Sequence, residues 1–255
     1  MGYFKTFLQK PEENTVLLID GDLYAYRACA AAEEEIDWGD DIWSLSSDLK
    51  QAKEIFREFI DSACDTLETG SFVVCLSDKD NFRKTIDPMY KGGRKKVRKP
   101  VGYPAFIKWI QETYRWYREP LLEADDILGI LGTAPGHNTI MVSDDKDMKS
   151  IPGKLYRPMS GEFHTISQAD ADLWFYTQTL TGDVTDGYSG CPSVGAKTAE
   201  KLLARSATWN TVVQAYQKQK LNADYALTQA RLARILRFED WDVDKGAIKL
   251  WEPTR

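Results

Sequence analysis

The chain has 255 residues, 43% of them hydrophobic, enough to bury a full core in one large domain or in a main domain with an appendage. Its four cysteines lack Cys-x-x-Cys spacing and its histidines are only two, His137 and His164, which excludes a disulfide framework, a zinc knuckle and most histidine-dependent chemistry. The net charge of −6 argues against a polyanionic partner until its distribution is considered, and no run approaches the ~18 apolar residues of a membrane span, so a cytoplasmic protein off the membrane is expected.

The first residues, "MGYFKT", fit the loose myristoylation pattern at Gly2 and Thr6, which needs a eukaryotic enzyme and carries little weight. "NTVLLID", "GSFVVCLSD" and "HNTIMVSDD" are short apolar runs that end on Asp20, Asp78 and Asp145, and "GKLYRP" is a candidate fourth. Such runs read as buried parallel strands. The acidic run 33–41, "EEEIDWGDD", reads as a solvated loop. Helical spacing follows in "SSDLKQAKEIFREFIDSACDTLE" behind a serine cap, in "YPAFIKWIQETYRWYRE" and in "EADDILGILG". From about Ser167 the pattern becomes helix after helix, including "YALTQARLARILRF". The expected fold is α/β: a central, mostly parallel sheet flanked by helices over 1–166, with a helical part over 167–255.

In an open parallel sheet, ligands bind beyond the carboxyl ends of the strands. Three strand-end acids would therefore meet in one crevice. Glu123, Asp125 and Asp126 open a helix, where negative charge also suits the backbone dipole. Asp183 and Asp186 lie in a Gly-rich loop just before "CPSVGAKTAEKLL". With Asp147, these make nine carboxylates. Two charges ~4 Å apart repel by roughly 4 kcal/mol at an effective dielectric near 20, so such a crevice needs cations. Oxygen donors without thiolate or imidazole suit magnesium or manganese. Two such ions ~4 Å apart serve phosphodiester hydrolysis by activating water and stabilising the leaving oxygen. Calcium storage is the competing use, but no segment matches the calcium loop.

The bases are uneven. Between Arg83 and Lys99 stand eight bases, Arg83, Lys84, Lys91, Arg94, Lys95, Lys96, Arg98 and Lys99, against one acid, Asp87. This segment reads as a clamp for nucleic-acid phosphates, with Tyr90 and Tyr103 placed to stack on unpaired bases. Pro192 and Gly195 shape a turn before a helix at 196–203, whose backbone N–H groups form a phosphate cradle.

Taken in order, "LLIDGD", "LSDKDNFRK", "YKGGR", "LLEADDILG", "VSDDKD" and "TGDVTDGYSGCPSVGAKTA" resemble the 5′ nuclease superfamily of flap endonucleases and polymerase 5′ nuclease domains. "KKVRKPVGY", "DGYSG" and "ARILRF" are most similar to the 5′-3′ exonucleases of short-tailed bacteriophages. The resemblance spans roughly 16–203 and implies a PIN-like nuclease core with a basic arch at about 83–104. It also implies a helix-hairpin-helix at about 187–205. By matched position, Asp20, Asp78, Glu123 and Asp125 resemble the first metal cluster and Asp145, Asp147 and Asp186 the second, with Asp126 and Asp183 assisting. Asp144 falls at a position that is not acidic in the family. Arg83 and Lys91 resemble the bases that steer the scissile phosphate, and Tyr90 with Arg94 lies at the base of the arch. Gly195, Lys197 and Thr198 fall in the duplex-gripping hairpin, where a potassium ion is implied and Ser193 stands in place of a usual glycine.

The function so implied is a two-magnesium 5′-3′ exonuclease, with manganese as substitute, acting as a monomer on duplex DNA from 5′ ends. RNA primers in RNA/DNA hybrids, flaps and replication proteins belong to the same expectation. A flap-specific endonuclease and a nonenzymatic DNA-binding module are the alternatives.

Overall fold

A computed structural model describes residues 2–93 and 98–253. Helix α1 (Gly2–Gln9) precedes strand β1 (Val16–Asp20) and helix α2 (Gly21–Ala31). A hairpin of β2 (Glu33–Asp37) and β3 (Trp43–Ser47) leads to α3 (Leu49–Thr66) and β4 (Phe72–Cys75). Then come α4 (Arg83–Ile86), α5 (Tyr103–Thr113), β5 (Trp116–Tyr117), α6 (Ala124–Gly132) and β6 (Thr139–Val142). A 3-10 turn (Lys146–Ser150), β7 (Gly153–Arg157) and β8 (Glu162–Ile166) complete the sheet. The remainder is α7 (Gln168–Thr181), α8 (Ala196–Leu203), α9 (Trp209–Lys218) and α10 (Ala223–Ala233), then a short hairpin of β9 (Trp241–Asp242) and β10 (Ala247–Ile248).

Among the described residues the main sheet has the order β5-β4-β1-β6-β7-β8, parallel except for the β7–β8 pair. From β1 the chain first adds β4 on one side and later β6 on the other, so the topology reverses at β1. That is where such a sheet opens a crevice at its carboxyl edge.

Strand alternation sends residues to two cores. Val16, Leu18, Val73, Cys75 and Met141 pack with α1 and α6, while Leu17, Ile19, Val74, Ile140 and Val142 pack with α2, α3 and α5. Each fully buried aliphatic of this kind contributes about 1.5–3 kcal/mol. Gly21 is required by close approach: a Cβ there would fall 2.5 Å from Val74 Cγ1 and 2.6 Å from the Cys75 carbonyl. The first turn of α2 is thereby pressed against β4.

Several expectations are corrected. The acidic run at 33–41 is not a loop: Glu33–Asp37 pairs antiparallel with Trp43–Ser47. Gly39, Asp40 and Asp41 make its turn with positive φ, and the Trp38 indole donates to Ser44 Oγ. The α3 cap is Asp48, which accepts from the Lys50 and Gln51 amides, rather than a serine. Helix α5 stops at Thr113, and the aromatic pair Trp116–Tyr117 is the edge strand β5. Helix α10 stops at Ala233, because Arg234 turns extended. The four cysteines are free thiols.

Candidate active site

Asp20 ends the central strand and caps α2 by accepting from the Leu23 amide at 3.1 Å. It is 3% exposed, and its other oxygen accepts from Ser143 Oγ at 2.6 Å. Ser143 follows β6 and also accepts from the Asp145 amide at 3.1 Å, so one hydroxyl joins the ends of β1 and β6. Asp22 joins the β4 side: its carboxylate accepts from the Ser77 amide at 3.0 Å and from the Tyr103 hydroxyl at 3.2 Å. Neither Asp22 nor Ser143 stood out in the sequence. The second acid of "IDGD" was the available signal for Asp22; a lone serine carries none.

The charges in this crevice are poorly compensated. Burial pushes Asp20 up to about 7, assisted by the negative Asp22 and Asp145 and opposed by the Ser143 hydrogen bond. Desolvation raises Asp125 well above the carboxylate range, and Asp20 and Asp145 add to it. Asp145 caps the 3-10 turn by accepting from the Asp147 amide at 2.8 Å. Burial, then Asp145, lifts Asp147 to about 6 despite Lys146. Asp20, Asp125, Asp145 and Asp147 thus act on one another from three different elements.

The loop after α7 supplies the remaining acids. Asp183 accepts from the Thr185 amide at 2.7 Å and the Asp186 amide at 3.2 Å, and these bonds with Lys146 bring its pKa below the usual value against the effect of burial. Gly190 closes this loop at φ +65°, where a Cβ would fall 2.3 Å from the Gly182 nitrogen. Lys146 Nζ lies 3.3 Å from Asp147 and 3.3 Å from Asp183. On the other side, Lys91 Nζ lies 2.5 Å from Glu123 and 3.8 Å from Asp186, and its amide donates to the Asp186 carbonyl at 2.7 Å. The Tyr90 hydroxyl is within 3.2 Å of Glu123 and 3.1 Å of Asp186. Burial would raise Glu123, but Lys91 and Arg83 hold it down at about 2.

Other expected residues are engaged in contacts within the protein, and Arg83 among them also reaches Glu123 at 3.3 Å. Asp78 accepts from the Leu121 amide at 3.0 Å, and its pKa is lowered first by that bond. Asp126 is fully buried and accepts from Arg83 at 2.8 and 2.7 Å, from the Glu123 amide at 3.1 Å and from the Leu236 amide at 3.1 Å. Both oxygens of Asp126 are thereby engaged in protein contacts. Arg83, expected to reach a phosphate, is 2% exposed and also donates to the carbonyls of Leu232 and Arg234. Tyr90 and Tyr103, expected to stack on bases, are 3% and 7% exposed within the protein. Asp144 is a tether that accepts from Tyr24 at 3.0 Å, from Arg27 and from the Met159 amide.

Of the basic segment, Lys84 is exposed, and Lys99 lies 4.6 Å over the Tyr103 ring. Arg98 forms a two-pronged pair with Glu33 at 2.8 and 2.9 Å, so the acidic hairpin clasps the end of the basic run. Arg94, Lys95 and Lys96 lie outside the described residues. Gly195 caps α8, and Gly195, Lys197 and Thr198 are exposed at its start. Ser193 adopts φ 63°, the left-handed region that glycine favours.

Among the described residues no three acid, imidazole or thiol side chains form a preassembled metal cage. The donor chemistry nevertheless fits a hard cation: the side chains that converge are carboxylates, and burial without matching bases has raised three of them.

The profile of the 5′-3′ exonuclease N-terminal resolvase-like domain matches residues 15–168. The exodeoxyribonuclease of Enterobacteria phage T3 is 30% identical over an alignment of 285 positions, covering 95% of this chain and 94% of that protein. The exonuclease of Escherichia phage T7 is likewise 30% identical, with 95% of each chain covered. Among solved structures, a bacteriophage T5 flap endonuclease in a pseudo-enzyme-product complex with DNA and metal ions superposes with a TM-score of 0.64 at 13% identity, covering 86% of this chain and 89% of the other. The T5 5′-exonuclease with zinc bound gives 0.64 at 15% identity over the same shares. At those identities the two structures speak for the fold.

Proposed function

This chain belongs to the 5′-3′ exonuclease family, and on that premise we propose that it hydrolyses phosphodiester bonds of duplex DNA inward from 5′ ends. Water adds to phosphorus and the bond to O3′ breaks, so the terminal nucleotide leaves with a 3′-hydroxyl and the shortened strand keeps a 5′-phosphate, which departs with its nucleotide in the next round. RNA primers paired with DNA are a second substrate in this reading, and phage replication or recombination is the setting. The protein acts as a monomer in the host cytoplasm.

The observation that carries the proposal is the mutual electrostatic strain of Asp20, Asp125, Asp145 and Asp147 at the topological switch of the sheet. Structural carboxylates are matched by bases; these are held together without enough of them. Asp20, Glu123, Asp125 and Asp145 would hold one divalent ion, and Asp145, Asp147, Asp183 and Asp186 a second, magnesium or manganese in each case. Bound there, the two ions would supply charge neutralisation and water activation.

The chain itself contributes positioning. Ser143 and the Leu23 amide fix the rotamer of Asp20, and Ser143 aligns the Asp145 backbone beside it. Lys91 is anchored by its amide to the loop that carries Asp186, so its ammonium stays between the two acid groups and is the base placed to meet a phosphate. Lys84 and the exposed start of α8 hold the flanking backbone by charge and N–H groups. A potassium ion at the turn before α8 and replication-protein partners complete the proposal.

The test is cleavage of 5′-labelled duplex in magnesium and in chelator, with wild type and Asp145→Asn side by side. Mononucleotides released from the label in magnesium alone, and lost in the variant, support the reading. Equal cleavage by both proteins overturns the assignment to this crevice, and binding without cleavage by either leaves a DNA-binding module. First products several nucleotides long on a flapped duplex, with a blunt duplex untouched, would instead assign a flap endonuclease.

A further inference from the structure

Lys146 lies between two acids that this reading gives to the second metal ion. Its Nζ stands 3.3 Å from Asp147 Oδ1 and 3.3 Å from Asp183 Oδ2, on carboxylates only 21% and 16% exposed, while its own side chain is 62% exposed. The residue is the first of the 3-10 turn and is flanked in sequence by Asp145 and Asp147. Its backbone is fixed by Asp145, which accepts from the Asp147 amide, so the long side chain is the part free to move. An ammonium cannot share those oxygens with a divalent ion: each offers a bounded set of lone pairs, and two cations at contact distance repel.

We propose that Lys146 is a resident counter-ion of the second acid group, which holds Asp147 and Asp183 together when no metal is bound and competes with the divalent ion for their oxygens. The inference rests on the metal-nuclease reading above. It differs from the arrangement at Lys91, where the ammonium is itself only 15% exposed and pairs with Glu123 at 2.5 Å. Lys91 is enclosed in the crevice; Lys146 can swing out into water as the ion enters. Metal loading of the second site is then an exchange of cations, with a higher threshold than the carboxylates alone would set.

The measurement is calorimetric titration of the full chain with magnesium, without DNA, together with thermal melts in chelator. Lys146→Met should bind magnesium about 3- to 10-fold more tightly, since partly exposed ion pairs contribute up to ~1 kcal/mol each and ~1.4 kcal/mol is tenfold. The same variant should melt about 2–4 °C lower in chelator, because the acids lose their shield. Lys146→Arg should stay within about twofold of wild type, and Lys154→Met, whose ammonium bonds Asn138 away from the acids, should match wild type. Wild type that titrates normally beside an unchanged or weaker Lys146→Met overturns the assignment of Lys146 alone. If neither protein takes up magnesium, the metal-nuclease reading falls with it.

Discussion

Asp125 and Asp126 are neighbours in sequence and open the same helix, yet they belong to opposite regimes. Asp126 is held by both guanidinium arms of Arg83 and by two amides, within a knot that continues through Arg234 to Asp240 at 2.8 Å and through Arg237 to Asp172 at 2.7 Å. Asp125 faces Asp20 and Asp145 and is driven toward the neutral form. The knot is charge matched to charge, and it fixes the helical part against the sheet. The crevice is charge set against charge, which costs stability until something positive enters. One helix therefore carries a matched acid and, beside it, a strained one.

The largest effect is expected at Arg83. Arg83→Met leaves Asp126 buried and unpaired and should destabilise the fold by about 3–5 kcal/mol, read by denaturant melts. A variant that folds as wild type but no longer cleaves DNA would move Arg83 into the crevice and erase the contrast. Next comes Asp145→Asn. Loss of an outer partner of a metal site costs up to ~100-fold, so loss of a direct donor should lower the cleavage rate by more than about 100-fold. Its melting temperature in chelator should equal or exceed that of wild type, because a repulsion has been removed.

The pH profile sharpens the same point at smaller scale. Asp20 rises from 3.8 to about 7 and Asp147 to about 6, so between those limits the folded chain holds protons that the unfolded chain has released. Their contribution to stability is complete below about pH 4 and is lost as pH rises toward 7. Glu123, depressed to about 2, acts with the opposite sign and only below its ordinary 4.5. The melting temperature in chelator should therefore fall from about pH 5 to about pH 8, and magnesium should flatten the slope. A flat profile in chelator would mean that the crevice acids are solvated and unstrained. The smallest effect concerns neither region: Ser193→Gly should raise stability by about 0.5–1 kcal/mol by relieving a left-handed residue.

The sequence made the parallel strands and their terminal acids legible, because apolar runs of four to seven residues bounded by glycine or acid have few other readings. Asp20, Asp78 and Asp145 can be gathered on that basis, while Asp125 is read from the start of a helix. What the sequence left open at Asp78, Asp126, Arg83 and Tyr90 is side-chain direction. A residue type and a spacing do not say whether an arginine turns outward to a phosphate or inward to a carbonyl 149 positions away, as Arg83 does at Leu232. The acidic hairpin was misread because its charge was legible and its partner strand, with alternate residues facing solvent, was not. Ser143 matters through a single hydroxyl, which no pattern marks.

Ile235, Leu236 and Trp241 are buried in the same apolar cluster as Phe4, Leu18 and Ile127, so the change of element type near residue 166 is no seam in the packing. An engineer who grafted only the first two-thirds of this chain onto another protein would transplant most of the acids together with a raw greasy face and an Arg83 stripped of its Leu232 and Arg234 carbonyls. The nuclease is indivisible at that boundary, because the stretch after α10 returns to seal the sheet's interior even though the helices before it keep clusters of their own.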